Sequence, residues 1–176
     1  SACDLASVPA GSKTIVSYNN LGDLSCESYP DSALNRSYGY DENGLLTNLI
    51  AGATQWNYDY DSAGNVNYEQ LTLDNLVFRL GYDYSALGHR KQVTYPSLRV
   101  VEYTPNALGL SQSAGDFATD ASYHPNGQLH KLTYGNNIKR IIRLDTSGRI
   151  DLLEDKLNNR GVISLDSSYD LNDNLD

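Results

Sequence analysis

Three features of the 176-residue sequence predict an all-β fold. The stretch Tyr58-Asp59-Tyr60-Asp61-Ser62-Ala63-Gly64-Asn65-Val66 alternates aromatic residues, continues as Asp-x-x-Gly and ends on an aliphatic residue, and this pattern recurs along the whole chain. Nothing in the sequence has the 3.6-residue period of a long amphipathic helix. The aromatic inventory is mostly Tyr, 14 of them against 2 Phe and 1 Trp, and there is no Met. A Tyr ring buries area while its hydroxyl stays near water or backbone, which suits a sheet with one wet face.

The recurring stretch reads as a β-hairpin. Tyr58 and Tyr60 are two apart and share one face of a strand. Asp61 opens a tight turn by accepting from backbone N–H groups, and Gly64 closes it at a position that requires φ > 0. The same register gives turn residues Gly22, Asp41, Gly44, Asp61, Gly64, Gly88, Gly109, Gly127, Asp145, Gly148 and Asp170. The closing positions run from Gly22 to Asp173 in seven steps of about 22 residues, a period that predicts tandem repeats.

In chain order, residues 1–13 form a lead-in and residues 14–176 the repeat array. Thr14, Val16 and Tyr18 alternate in a first, poorly formed unit, and residues 35–49 make a better hairpin. Ile50-Ala51-Gly52-Ala53 then turns into the strand from Gln55 to Asp61. A second set of turns at Tyr29-Pro30-Asp31-Ser32, Tyr95-Pro96-Ser97-Leu98, Tyr134-Gly135-Asn136-Asn137 and Asn158-Asn159-Arg160-Gly161 separates successive hairpins. Strands of about six or seven residues fill the space between turns, near the usual length. Leu45-Leu46 and Val100-Val101 put apolar side chains on both faces, as bulges or partial cover of both faces would allow. Leu152 to Leu157 has a helix-like look, but the repeat spacing requires strand, turn, strand.

The motifs Tyr38-x-Tyr40-Asp41-x-x-Gly44, Tyr58-x-Tyr60-Asp61-x-x-Gly64, Tyr82-x-Tyr84-x-x-x-Gly88 and Tyr169-Asp170-x-Asn172, with Tyr95-Pro96 as a second turn, resemble the YD-repeat or RHS-repeat family. The resemblance runs from about residue 14 to residue 176. The fourth copy departs with Ser85 for Asp, the fifth with Pro105 for the second aromatic, the seventh with Leu144 for Tyr and the eighth with Asp173 for Gly. The resemblance implies about eight hairpins in a curved antiparallel sheet, part of a spiral shell that encloses a C-terminal toxin domain. No residues here match the self-cleaving element of such shells, so no cleavage activity is implied.

A net charge of −9 argues against nucleic acid or an anionic membrane as partner. No apolar run approaches the ~20 residues of a membrane span. His89, His124 and His130 are read as polar side chains on a sheet face or turn. Glu154-Asp155 is an adjacent pair whose members point to opposite faces. No nucleophile, phosphate-loop or metalloprotease motif occurs, so no enzyme and no cofactor are expected. Asp170, Asn172, Asn174 and Asp176, and Asp59 with Asp61, faintly resemble calcium loops but lack the bend Gly and bidentate Glu. Cys3 and Cys26 are read as unpaired or incidental, with a disulfide across the first repeat as the alternative in a secreted protein and a lipid-bearing Cys3 as a remote one.

The expected function is a structural segment of a larger, secreted or cell-surface bacterial polypeptide, partnered by adjoining repeats and a toxin domain. The competing reading is an adhesion module that stacks surface glycans on Trp56, Tyr58 and Tyr60. A third reading pairs the units into four-stranded propeller blades.

Overall fold

The fold is given by a computed structural model that describes residues 14–170 and 172–175. Nine strands come first: β1 (Ile15–Tyr18), β2 (Leu24–Ser28), β3 (Arg36–Tyr40), β4 (Leu46–Ala51), β5 (Thr54–Tyr60), β6 (Val66–Leu73), β7 (Leu76–Tyr84), β8 (Arg90–Thr94) and β9 (Val100–Glu102). They form one antiparallel sheet in chain order. After an irregular stretch come β10 (Ala118–Tyr123), β11 (Leu129–Tyr134), β12 (Lys139–Leu144), β13 (Ile150–Leu157) and β14 (Arg160–Asp166), again in chain order. Sheets of nine and five strands do not divide into four-stranded blades. The chain divides into two compact units, one running to Tyr82 and including Thr94–Arg99, the other comprising Asp83–Val93 and the residues from Val100 onward.

Alternation decides the faces. In the first unit Tyr38, Leu49, Trp56, Leu71 and Phe78 are successive cross-strand partners over β3 to β7, an unbroken apolar row. On the opposite face Asn48, Asn57, Gln70 and Arg79 make a polar row, and Asn48 and Gln55 both donate to Asn57 Oδ1, at 3.0 and 3.1 Å. The second unit has an apolar row of Ile142, Leu153 and Leu165. Next to it Arg140 and Asp155 are cross-strand partners joined by two hydrogen bonds of 2.8 and 2.6 Å, with Asp155 only 5% exposed. Among the described residues Cys26, Val93, Val101 and Leu152 are the buried hydrophobics and no side chain is wholly buried, as a single sheet layer with few covering loops requires.

Four of the bulges fall just before a repeat-turn Asp or Asn. Register shifts lie between Ser17 and Tyr18, Gly39 and Tyr40, Asp59 and Tyr60, and Arg143 and Leu144. This is the physical basis of the Leu45-Leu46 doublet: Leu45 closes the turn and Leu46 begins β4. Residues 152–157 are strand, and Asn158 and Asn159, with φ of 49° and 64°, form a two-residue turn into β14. A similar turn at Asp74-Asn75, φ 49° and 63°, separates β6 from β7, and the sequence reading passed over it.

The array breaks at its fifth copy. Pro105 offers no N–H to a ladder and follows Thr104 at φ 41°, and the segment before β10 holds isolated bridges, Pro105 with Ser111 and Ala114 with Asp116 and Ala118. Gly115 donates back to the Glu102 carbonyl at 2.8 Å and lies over Val101, which is 5% exposed while Val100 faces solvent. Cys26 is also a correction to the sequence reading, because it is disulfide-bonded. Cys3, the one other cysteine in the sequence and so its only candidate partner within the chain, lies outside the described residues.

Candidate functional site: the repeat junction

Each repeat turn is built by one side-chain oxygen. Oδ1 of Asp61 accepts from the N–H groups of Ala63 at 2.8 Å and Asn65 at 2.9 Å, two and four residues on. Asn19, Asp41, Asn106, Asp145 and Asp170 make the same pair of bonds, and Ser85 makes it through Oγ at 3.3 and 3.2 Å. The closing residue must then sit at positive φ, 82° at Gly64 and 65° at Asp173, which has no such freedom. Gly22, Gly44, Gly88, Gly109, Gly127 and Gly148 occupy the same left-handed region. Donation from the Asn65 side chain keeps the Asp61 carboxyl below the usual carboxylate range. The backbone N–H of Arg149 does the same at Asp145, and the side chain of Asn174 at Asp170.

The second Tyr of the motif joins one repeat to the one before it. The Tyr60 hydroxyl donates to the carbonyl of Leu46 at 2.7 Å, and that of Tyr40 to Leu24 at 2.8 Å. Tyr123 donates to Ser111 at 2.5 Å and Tyr169 to Ile150 at 2.9 Å. The offsets are constant: the donor lies four residues before its own closing residue and the acceptor two residues after the preceding one. Partial burial pushes the phenols of Tyr40 and Tyr60 up, so both remain donors. The first Tyr reaches the same neighbour by another route where a carboxylate is offered: Tyr38 donates to Glu27 at 2.9 Å and Tyr82 to Glu69 at 2.5 Å.

Two further junction contacts show what the pattern must accomplish. In the seventh copy Leu144 has no hydroxyl, and the sixth and seventh units are joined instead by His124, whose Nε2 lies 2.8 Å from the Ile142 carbonyl. His124 stands where the other turns carry Asp, Asn or Ser, and Asn126 Oδ1 accepts from Gln128 there. At the last turn Arg149 pairs with Asp145 at 2.7 Å and also with Asp173, so one guanidinium spans two successive turns.

The remaining candidates are accounted for by the same geometry. Trp56, Tyr58 and Tyr60 lie on one face of β5, half-buried; Trp56 is flanked by Leu49 and Leu71, and Tyr58 is opposite Glu69. Asp59 accepts from Asn67, and the oxygens of Asp170 are directed into their own turn. Among the described residues no group of three or more His, Cys, Asp or Glu could hold a metal ion, and Asp176 lies outside them. Glu154 pairs with Lys156 at 2.6 Å while its neighbour Asp155 pairs with Arg140. Sequence reasoning missed the tether itself, although part of its signal was available: each tethering Tyr stands four residues before its own closing residue. The Arg140–Asp155 and Tyr82–Glu69 pairs carry no local signal, since their partners lie a hairpin apart.

No protein-family model matches the chain, and no curated protein matches it in sequence. Solved structures do match. The crystal structure of TcdB2-TccC3 with Cdc42 aligns at a TM-score of 0.74 and 12% identity, covering 92% of this chain and 10% of that one. The crystal structure of TcdB2-TccC3 alone aligns at 0.74 and 13% identity, with the same coverage. The pore of the Photorhabdus luminescens Tc holotoxin, with a substituted TccC3, aligns at 0.75 and 13% identity, again over 92% of this chain and 10% of that one. The fold is that of a stretch of Tc toxin chains. At this identity the likeness concerns backbone architecture, and the chain spans about a tenth of the length of the chains it matches.

Proposed function

We propose that this chain is a non-catalytic wall segment of a repeat-built β-shell, working within a larger secreted or cell-surface polypeptide that carries a toxin or effector domain. The observation that carries this reading is the junction: the side chains that recur are consumed in turning the chain and in tying each unit to the one before. Asp61 and its counterparts spend their oxygens on their own turns, and Tyr60 and its counterparts spend their hydroxyls on the neighbouring backbone. Side chains so engaged build a wall. The likeness to Tc toxin chains over 92% of this chain supports the same assignment. Partners are then adjoining repeats and the domain they enclose.

The test is the size and behaviour of the native polypeptide. An antibody raised against residues 36–66 should detect, in source cells or their medium, a band many times larger than the 19.4 kDa of this chain. In that polypeptide, limited proteolysis should spare a domain inside the closed shell and degrade it once the shell is opened by denaturant. A band at 19.4 kDa would overturn the reading.

One observation favours a second reading, glycan adhesion: Trp56 is half-exposed in an apolar row. Glycan-array binding lost on Trp56→Ala with the fold retained would move that reading to first place.

A further inference from the structure

We propose that His124 and His130 form a two-imidazole site for a divalent transition-metal ion at the junction of the sixth and seventh repeats. Their ring centroids are 4.7 Å apart and the rings are inclined at 52°, so they meet without stacking face to face. Hydrogen bonding sorts the four ring nitrogens. A backbone carbonyl can only accept, so the His124 Nε2 that lies 2.8 Å from the Ile142 oxygen carries the proton, and Nδ1 keeps a lone pair. His130 Nδ1 faces Ser122 Oγ at 3.5 Å, which leaves its Nε2 without a hydrogen-bond partner among the described residues. Each imidazole therefore has one nitrogen engaged with the protein and one to offer.

That division is the one metal-ligating histidines use: the second ring N–H bound to a carbonyl or carboxylate fixes the tautomer and the ring orientation. Imidazole selects Zn²⁺, Ni²⁺ or Cu²⁺ over Ca²⁺ and Mg²⁺, which require oxygen ligands. Two protein ligands leave the other coordination positions to water or to a ligand from a partner. Both residues stand on the β10–β11 hairpin, His124 in its turn and His130 in β11, so the strand ladder holds them in register. His124 also lines an open groove of about 580 Å³ with Asn106, Gln112, Tyr123 and Asn126, so one of the two imidazoles borders open space. The net charge of −9 raises the local cation concentration. The turn does not need His for its own closure, because Asn126 supplies the acceptor.

The experiment uses the full 176-residue chain without an affinity tag. Calorimetric titration with Zn²⁺ should give one saturable site per chain. His124→Gln and His130→Gln should each weaken it at least about tenfold, the scale on which even an outer-shell partner acts, and His89→Asn should leave it unchanged. If a variant fails to fold, the wild-type chain still decides: substoichiometric Ni²⁺ should broaden the imidazole resonances of His124 and His130 before those of His89. An absence of saturable Zn²⁺ binding, retention of binding in the double variant, or first broadening at His89 would each overturn the proposal.

Discussion

At the scale of single residues, the Tyr60 hydroxyl is the sharpest case. Tyr60→Phe keeps the ring and leaves the Leu46 carbonyl short of a donor, so unfolding free energy should fall by about 1 kcal/mol in urea titration; an unchanged midpoint would mean that water replaces the bond at no cost. At Gly64 the added Cβ meets nothing closer than Leu45 Cδ1 at 4.0 Å, so the expense of Gly64→Val is conformational, not steric. With φ at 82° it should exceed the ~1 kcal/mol of a propensity change. Leu98 gives the reverse experiment: it sits at φ 64° with 83% of its surface exposed, and Leu98→Gly should raise the melting temperature. The turn carboxylates set the response to acid. Asp61, Asp145 and Asp170 titrate below the unfolded value of about 3.9, so the stability they contribute is fully present above that pH and drains away as pH falls through their lower folded values. Melting temperature should hold steady down to about pH 4 and drop below it, and Asp61→Asn, which keeps the turn acceptor, should lessen the drop.

At the scale of elements, hairpins were legible because their turns are spelled locally: an Asp oxygen, two N–H groups and a closing Gly lie within five residues. The Asp74-Asn75 turn was not, since two short polar residues between Leu73 and Leu76 look like a continued strand until the register is known. The strands were legible in kind, and the break of the array at Pro105 was not, because a proline can be absorbed at a sheet edge and the sequence does not say that two sheets begin there. The sites that span units were invisible for a related reason: His124 and Ile142, or Arg140 and Asp155, are neighbours only after two strands have paired. The disulfide belongs to this scale as well. It holds Cys26 of β2, and breaking it should cost about 3 kcal/mol, a usual figure for a disulfide. Alkylation without reduction should leave Cys26 unlabelled, and reduction should lower the melting temperature while hydrogen exchange accelerates first in β1 and β2. Uniform acceleration throughout would show that the bond stabilises more than the first unit.

At the scale of the molecule, an array of this kind ends in edges. In β14 every residue is exposed, with Val162, Ile163 and Leu165 at 53%, 45% and 57%. Such a strand templates pairing with another copy. The isolated chain should therefore associate as its concentration rises in light scattering, and Ile163→Lys should suppress this; a wild type that stays monomeric would argue that the edge is already protected. The Tyr tether has a last consequence, for descent. Its donor is a side chain of the incoming unit, but its acceptor is main chain, so this tether demands no particular side chain of the unit before it. As far as the tether is concerned, units can be duplicated, lost or exchanged as cassettes, and the accepting residue can change without breaking the bond. Chains built this way can share an architecture at 13% identity, as this one and the Tc holotoxin chain do, where no family model matches.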